Sequence, residues 1–457
     1  MIISTLFFVT IFTFLLAWCT RSQPRPPLPP GPKPLPYVGS FITMIQNKPA
    51  FRWIHRMMDE MDTKILCIRL GNVHVISVSD PKIACEFLKE KDEIFSSRPD
   101  FMSSYLTSDG YLTTVLVPSS DHWKNMRKIL AVKILSSTRH KWLKSKRDEE
   151  ADNLLRYIYD RCEINFTVTG GIMNVRTIVQ QHSSNVTRKI IFGSRYLGKG
   201  SVDGGPGEEE IEHVESLLII LSYVYSFCVT DYFPFLRWIT DLDGHEKIMR
   251  NAIRTARKHQ DRLIDERIQQ WKDEWAMAEM MNQPRIFDRA IHELDSVIGK
   301  EKLVQESDLP KLNYIKACVK EAFRLHPSAA FNLPHVAAVD TTVGGYFIPK
   351  GSHVLLSRIG LGRNPEVWDD PLTFEPERHI DGDNEVVLTD YNLQMLSFSC
   401  GRRGCPGVLF GSTMTVMLLA RLVQGFTWEL PPNEPLVDLK ENLRNVFVSG
   451  DLISGAR

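Results

Sequence analysis

The sequence predicts a mainly α-helical fold with small β-sheets. Apolar residues recur at helical spacing over much of the chain, including segments 121–134, 140–159, 209–227 and 245–271. Strand-like alternation is confined to short stretches. At 457 residues with 43% hydrophobic content, the chain is long enough to bury a large core.

The first residues predict a membrane anchor. Residues 1–20 are almost uniformly apolar, and Arg21 and Arg25 follow them. The apolar length is close to the ~20 residues that span a bilayer, and the arginines place the rest of the chain on the cytoplasmic side. A cleaved signal peptide would need a basic start and a small-residue cleavage site, and neither is present. Residues 21–37 are rich in proline and predict a stiff hinge before one large domain at 38–457.

Charge and cysteine content narrow the classes of function. Lysine plus arginine and aspartate plus glutamate both number 55, so nothing in the net charge predicts a nucleic-acid partner. The eight scattered cysteines resemble the reduced thiols of a cytosol-facing protein more than a disulfide framework. Cys400 and Cys405 lack a second nearby Cys/His pair, which argues against a zinc site there. No glycine-rich or Walker nucleotide-binding pattern occurs.

The β regions are predicted at two places in the chain. Segments Ile65–Leu70 and Val73–Val78 form a predicted hairpin around Gly71, with a helix to follow at 81–91. Much later, residues 345–356 predict two short strands around a Pro-Lys-Gly turn.

The helical segment 121–134 carries Trp123 and Arg127, which lie four residues apart on one face. By spacing alone this is an amphipathic helix with a solvated arginine. A glycine-rich segment at 198–207 predicts an exposed loop between later helices.

A helix that begins near Asp308 and stops before Pro327 carries Glu321 and Arg324, which are three residues apart and can pair. The flanking residues are apolar, so we expect this pair to be buried. A buried ion pair needs further hydrogen bonds, and Arg378 is a candidate to supply them.

The most informative segment is 398–407, which places three glycines and two arginines around Cys405. Pro406 suits the first position of a long apolar helix, and Gly425 can cap its end. The positive end of that helix would favour a thiolate at Cys405, and a thiolate is an iron ligand. The alternative is a buried cysteine that only packs at a helix start. This alternative does not explain why three glycines and two arginines surround the cysteine.

These motifs together resemble the cytochrome P-450 superfamily of haem-thiolate monooxygenases. Segment 398–407 has every fixed residue of the family pattern Phe-x-x-Gly-x-Arg-x-Cys-x-Gly, and Glu321, Arg324 and Arg378 match its buried structural triad. The resemblance implies the cytochrome P-450 fold and haem b as cofactor, with Cys405 as the metal ligand. It further implies haem contacts from Trp123, Arg127, His335, Arg403, Phe398, Gly401 and Gly407.

Finer detail is similar to one plant branch, the amino-acid N-monooxygenases that form aldoximes. Segments 331–335, 345–358, 376–379 and 397–405 carry this similarity, although Cys400 stands where that branch has threonine or another small residue. The resemblance implies two N-hydroxylations of an amino acid, in defence metabolism such as glucosinolate or cyanogenic glucoside biosynthesis. It places Phe331 and Asn332 near the substrate.

The resemblance also implies partners and a location. Electrons would come from NADPH through a separate membrane reductase, which would dock on Lys124, Lys128 and Arg402. The chain would be a single-pass protein of the endoplasmic reticulum membrane, with its catalytic domain facing the cytosol.

One part of the family pattern is missing. Residues 268–280 run from one helix straight into the end of the family's long distal helix, which predicts a gap near 271–276 and removes the dioxygen motif. A helix of ~20 residues spans ~30 Å, so a whole wall of the haem site is lost. We therefore expect haem binding to be weak or absent and the chain to be inactive. Residues 446–457 are also unlike the family's final strands.

Two alternatives to an N-monooxygenase stay open from the sequence. One is an inactive truncated relic of such an enzyme, and the other is a haem-thiolate isomerase or dehydratase that needs no dioxygen motif. The distal catalytic residues cannot be assigned, because the segment that would carry them is absent.

Overall fold

The computed structural model describes residues 26–429 and 453–456, except 112, 170–171, 193–194, 196–204, 225, 237–240, 242, 261–271 and 383. The predicted membrane anchor, the first part of the hinge and most of the predicted loop 198–207 lie outside the described residues. So does residue 271, the first of the stretch 271–276 where the gap is predicted.

The described residues form a mainly helical fold with three small sheets, as the sequence predicts. Their α-helices are α1 Phe41–Gln46, α2 Ala50–Glu60, α3 Pro81–Cys85, α4 Met102–Thr107, α5 Asp121–Ile129, α6 Ser137–Trp142, α7 Lys144–Thr169, α8 Val175–Phe192, α9 Glu208–Val224, α10 Val229–Tyr232, α11 His245–Gln260, α12 Lys272–Asn282, α13 Pro284–Val297, α14 Asn313–Leu325, α15 Arg358–Gly362 and α16 Val408–Gly425. Their strands are β1 Ile65–Leu70, β2 Val73–Val78, β3 Ile172–Asn174, β4 His335–Val336, β5 Thr341–Val343, β6 Tyr346–Ile348, β7 His353–Leu356, β8 Trp428–Glu429 and β9 Ile453–Ala456.

The predicted hairpin is confirmed. Strands β1 and β2 pair antiparallel from Ile65 opposite Val78 to Leu70 opposite Val73, and Gly71 turns the chain with a φ of 57°. Strand β7 joins β2 in parallel and β4 extends the sheet. The two strands predicted within 345–356 both form, but β6 pairs with β5 and so belongs to a separate two-stranded sheet.

Several helix boundaries differ from the predicted ones. The helices predicted at 81–91 and 121–134 each change to π-helical geometry in their last turn, at Glu86–Glu90 and Leu130–Ile134. The helix predicted to begin near Asp308 begins at Asn313 instead, because Leu309–Lys311 form a separate 3-10 turn. Apolar spacing identifies a helix well, but its ends depend on local hydrogen bonds.

The long apolar helix after Cys405 is α16, which lies in the core. The prediction that it starts at Pro406 and is capped by Gly425 is wrong by one or two residues, since Gly407 is its N-cap and Phe426 its C-cap. Helix α16 and the segment 208–232 are each long and apolar enough to cross a membrane. More than half of α16 is buried against other helices, as in the core helix of a globular domain.

The last described residues form a strand. Strand β9 is central in a three-stranded sheet of order β3-β9-β8. The C-terminal sequence that is unlike the family's final strands therefore still pairs as a strand at residues 453–456.

Candidate functional site

The loop that carries Cys405 is closed by its own backbone. A short 3-10 turn at Gly401–Arg403 precedes the cysteine, whose backbone N–H donates to the carbonyl of Phe398 at 2.8 Å. Phe398 is buried and packs edge-on against Phe323 of α14, with 5.8 Å between ring centroids. The loop thus holds the Cys405 thiol in a partly buried position just before α16.

Glycine is present at positions 401 and 407 of this loop for different reasons. Gly401 has a φ of 71°, and a side chain there would collide with the carbonyl of Leu88. Gly401 is therefore required by the loop itself. Gly407 is different, because a β-carbon there would lie 3.8 Å from the Cys405 sulfur and in contact with nothing else. Its hydrogen leaves room for a flat group beside that sulfur.

The structure brings Trp123, Arg127 and Arg403 together beside the loop. Arg127 donates from Nη2 to the carbonyl of Gly404 at 2.7 Å, directly before Cys405. The Arg403 guanidinium lies over the Trp123 ring, 4.0 Å from its centroid. Two backbone carbonyls, those of Ser96 and Val117, accept from Arg403 at 2.6 and 2.8 Å.

His335 lies near the same cluster. Its Nδ1–H donates to the carbonyl of Phe95 at 2.7 Å, and the side chain is buried. Burial, helped by the charges of Arg98 and Arg403, lowers the pKa of His335 to about 3, so the ring is neutral.

Arg98 is a member of the cluster that the sequence analysis missed. It donates from Nη1 to the carbonyls of Leu333 and Pro334 at 2.8 and 2.9 Å, just before His335. A single arginine before a proline, 237 positions away from His335, gives no spacing signal. Only the folded chain brings the two together.

The cluster holds excess positive charge in a buried place. Burial, with Arg98 and Arg127, lowers the pKa of Arg403 to about 9, while Asp92 opposes this shift. Two buried donors, Trp123 Nε1 and Arg403 Nη1, have no hydrogen-bond acceptor among the described groups. Buried donors and charges without partners are costly, so this arrangement fits an anionic ligand such as the carboxylates of a haem.

The predicted structural triad is assembled, with Glu321 and Arg324 completely buried and the Arg378 side chain 10% exposed. Arg324 donates from Nε and Nη2 to the two carboxylate oxygens of Glu321 at 2.8 and 2.7 Å, and Arg378 Nε donates to Glu321 Oε1 at 3.0 Å. His379 adds a fourth contact, 2.7 Å from Glu321 Oε2, which the sequence analysis did not assign. Burial alone would raise the pKa of Glu321, but hydrogen bonds from Arg324 and His379 lower it to about 2.

This group fastens a long connection to α14. Arg324 also donates to the carbonyls of Gly362, Pro371 and Thr373, at 2.6 to 3.0 Å, and the N–H of Glu375 donates to Glu321. Glu321 and Arg324 thus supply hydrogen-bond partners for backbone groups of residues 362–378.

The two predicted substrate residues line a small apolar cavity of about 40 Å³. Asn332 is buried, and its Oδ1 accepts from the N–H of Leu356 at 2.7 Å, while Nδ2 has no acceptor among the described groups. Five of the thirteen residues that line this cavity are phenylalanine or tyrosine: Phe51, Phe101, Phe227, Tyr232 and Phe331.

Helix α12 is the segment that the sequence analysis assigned to the end of the long distal helix. It has 11 residues, and Ala276, Met277 and Met280 are fully buried against α14 and α16. Glu279 contacts Nε2 of His326 at 2.6 Å. At 1.5 Å per residue such a helix is about 16 Å long.

Apolar residues are exposed on the segment that follows Trp123 and Arg127. Ile129, Val132 and Ile134 are 50%, 56% and 51% exposed, and the π-helical turn at Leu130–Ile134 has no buried residue. Three apolar side chains so close together on a surface favour an interaction that covers them.

Two of the three predicted docking charges are paired within the chain. Lys124 lies 3.0 Å from Asp121, and Arg402 lies 3.6 Å from both Asp92 and Glu93. Lys128 is exposed.

Comparison with known proteins identifies the family. The sequence model of the family Cytochrome P450 matches residues 29–274 and 273–450. Isoleucine N-monooxygenase 1 of Lotus japonicus is 46% identical over 507 aligned positions, which cover 99% of this chain and 95% of that relative. Phenylalanine N-monooxygenase of Arabidopsis thaliana is 47% identical over 480 positions, with 94% and 90% covered. Tyrosine N-monooxygenase of Sorghum bicolor is 46% identical, with 94% and 86% covered. This chain belongs to the cytochrome P450 family, whose members carry haem and take electrons from a redox partner.

Proposed function

We propose that this protein is an aldoxime-forming amino-acid N-monooxygenase with Cys405 as the ligand of its haem iron. The observation that carries the proposal is the buried cationic cluster beside the Cys405 loop, which has unpartnered donors suited to haem carboxylates. The similar proteins named as isoleucine, phenylalanine and tyrosine N-monooxygenases supply the reaction class.

The chain's own residues would hold haem b in a defined way. Trp123, Arg127, His335 and Arg403 would contact its propionates, and Arg98 adds a further positive charge. Phe398 and Gly401 would shape the loop, and Gly407 would leave space beside the sulfur. The haem supplies oxygen activation, which a thiolate ligand promotes, and the protein supplies orientation and a dry site.

The substrate would be an amino acid with an apolar side chain. Phe331 and Asn332 support this, because they join an aromatic wall to a buried amide donor in one cavity. The similar proteins are named for aliphatic and for aromatic amino acids, so the exact side chain has to be measured.

We further propose that the distal helix and its dioxygen motif are missing from this chain. The family match is split at 273–274. The alignment with the Lotus japonicus relative has 507 positions, which is 50 more than the 457 residues of this chain. At least 50 residues of that relative therefore lie opposite gaps in this chain. The exposed Ile129, Val132 and Ile134 support a lost packing partner. The chain as it stands would then bind haem weakly and would be an inactive relic of such an enzyme.

Location and partner follow from the same assignment. Residues 1–20 would anchor the protein in the endoplasmic reticulum membrane, and residues 21–37 would space the catalytic domain from it. An NADPH-dependent haemoprotein reductase would supply electrons, with Lys128 as its clearest docking charge. The product would enter defence metabolism, such as glucosinolate or cyanogenic glucoside biosynthesis.

The missing dioxygen motif favours one second function, a haem-thiolate isomerase or dehydratase that acts on a substrate already oxygenated. Such an enzyme would need no NADPH. The dependence of product formation on NADPH and reductase separates the two.

The test uses this chain and a length-restored version that carries the distal segment of the Lotus relative. Each is expressed with a reductase, given a panel of amino acids and examined for oximes. We expect oximes from the restored version alone. Oximes from the chain as it stands would overturn the proposed loss. No oxime from either, with haem bound in the restored version, would overturn N-hydroxylation.

A further inference from the structure

A second group of metal-binding side chains lies outside the residues around Cys405. Cys228 directly precedes α10, and Asp243 and His245 lie at the start of α11. The Cys228 sulfur, a carboxylate oxygen of Asp243 and a ring nitrogen of His245 all lie within 4.8 Å of one another. Thiolate, imidazole and carboxylate are the three ligand types that zinc takes in proteins.

The spacing is close to that of a tetrahedral zinc site. Bonds of ~2.3 Å to sulfur and ~2.0–2.2 Å to nitrogen and oxygen put ligand atoms roughly 3.3–3.7 Å apart. The His245 Nδ1 atom lies 3.6 Å from Asp243 Oδ2, and the Cys228 sulfur lies 3.9 Å from Asp243 Oδ1. These two distances go to different oxygens of Asp243, so side-chain rotations would be needed to bring one oxygen within bonding distance of a metal together with the sulfur and the nitrogen.

The hydrogen bonds around the group leave one ring nitrogen without a partner. Asp243 is held by the N–H groups of Val229 at 2.8 Å and His245 at 3.3 Å. Nδ1 of His245 is buried and has no hydrogen-bond partner among the described groups. The ring is braced edge-on by Tyr223, with 5.0 Å between centroids. A buried imidazole nitrogen that faces a thiol and a carboxylate is suited to a cation.

The surrounding charges favour a cation as well. Asp231 and Asp243 act on Cys228, and Asp241, Asp243 and Lys48 act on His245.

We propose that Cys228, Asp243 and His245 bind one Zn²⁺, with water as the fourth ligand. On binding, the Cys228 thiol gives its proton to solvent and a zinc–sulfur bond replaces the S–H bond. Mixed sulfur, nitrogen and oxygen ligands suit zinc better than calcium or magnesium, which prefer oxygen alone. The metal would tie the start of α10 to the start of α11, two elements that Asp243 already links by hydrogen bonds.

The test is made on the full-length chain in detergent, with Zn²⁺ as the probe. After incubation with zinc and dialysis into metal-free buffer, we expect about one zinc per chain by mass spectrometry. Cys228→Ser and His245→Ala should each lower zinc affinity by about tenfold or more. Cys85→Ser removes a free, half-buried thiol elsewhere and should leave the zinc content unchanged.

Cobalt substitution keeps the proposal testable if a variant fails to fold. Co²⁺ added to the wild-type chain should give a thiolate-to-cobalt charge-transfer band that Zn²⁺ abolishes. Less than a tenth of a zinc per chain, equal zinc content in both variants and the wild type, or cobalt binding without that band would each overturn the site. In that case Asp243 serves only as a hydrogen-bonding link.

Discussion

The two sides of the proposed haem site differ in how completely this chain builds them. On the Cys405 side, loop, cationic cluster and Glu321 group are all present, and their buried polar groups mostly have partners. On the other side, the described residues offer the 11-residue helix α12, which follows directly on residues outside the described ranges.

The Cys405 side is held by several sets of contacts of its own. The Glu321 group is tied to α14 and the connection at 362–378, and α16 lies in the main core. Helix α12 packs against α14 and α16, so its buried face belongs to the same core.

The largest effect is expected at the sulfur. In the length-restored version, Cys405→Ser should abolish the thiolate-type spectrum and all oxime formation, because a serine hydroxyl does not supply a thiolate ligand. Cys400→Ser is the matched control. Burial raises the pKa of Cys400 to about 11, so it stays a thiol and its loss should leave the spectrum intact. A thiolate-type spectrum in Cys405→Ser would refute the assignment.

The next effect concerns the stability of the Cys405 side. Glu321→Gln should lower the free energy of unfolding by about 3–5 kcal/mol, since it leaves Arg324 and Arg378 buried without their carboxylate. Glu375→Gln is the control, because this glutamate is 54% exposed and pairs with Arg378 only at the surface. Urea unfolding of both variants measures the difference. Equal losses would mean that the group is not the structural centre of this side.

Acid should weaken the same group. The pKa of Glu321 is lowered from 4.5 to about 2, so the unfolded chain takes up a proton at higher pH than the folded chain. Its contribution, about 3 kcal/mol, is complete above pH 4.5 and is lost as the pH falls toward 2. The wild-type chain should lose stability over this window faster than Glu321→Gln. Parallel curves would contradict the low pKa.

A smaller effect is expected at the cationic cluster. Trp123→Phe removes the buried Nε1 donor that has no acceptor among the described groups, so haem affinity should fall by about tenfold. Trp428→Phe is the control, because that indole donates to the carbonyl of Leu422 within the chain. It should lower stability and leave haem affinity unchanged. Haem titration of the length-restored versions measures both, and equal affinities would refute the propionate contact.

The sequence predicts the Cys405 side well because its signals are local. The loop 398–407 and the spacing of Glu321 and Arg324 are read within a few residues, and the β1–β2 hairpin follows from alternation around Gly71. Arg98 and His379 were missed, because their roles depend on contacts made across 236 and 58 positions. Helix ends were misplaced where π-helical or 3-10 turns replace regular geometry.

The most direct measurement is the reduced carbon-monoxide difference spectrum of this chain beside the length-restored version. Both are expressed with a reductase and compared at equal protein concentration. If the distal wall is missing, the chain as it stands gives a weak thiolate-type band or none, and the restored version gives a full band. A full band from the chain as it stands would contradict the account.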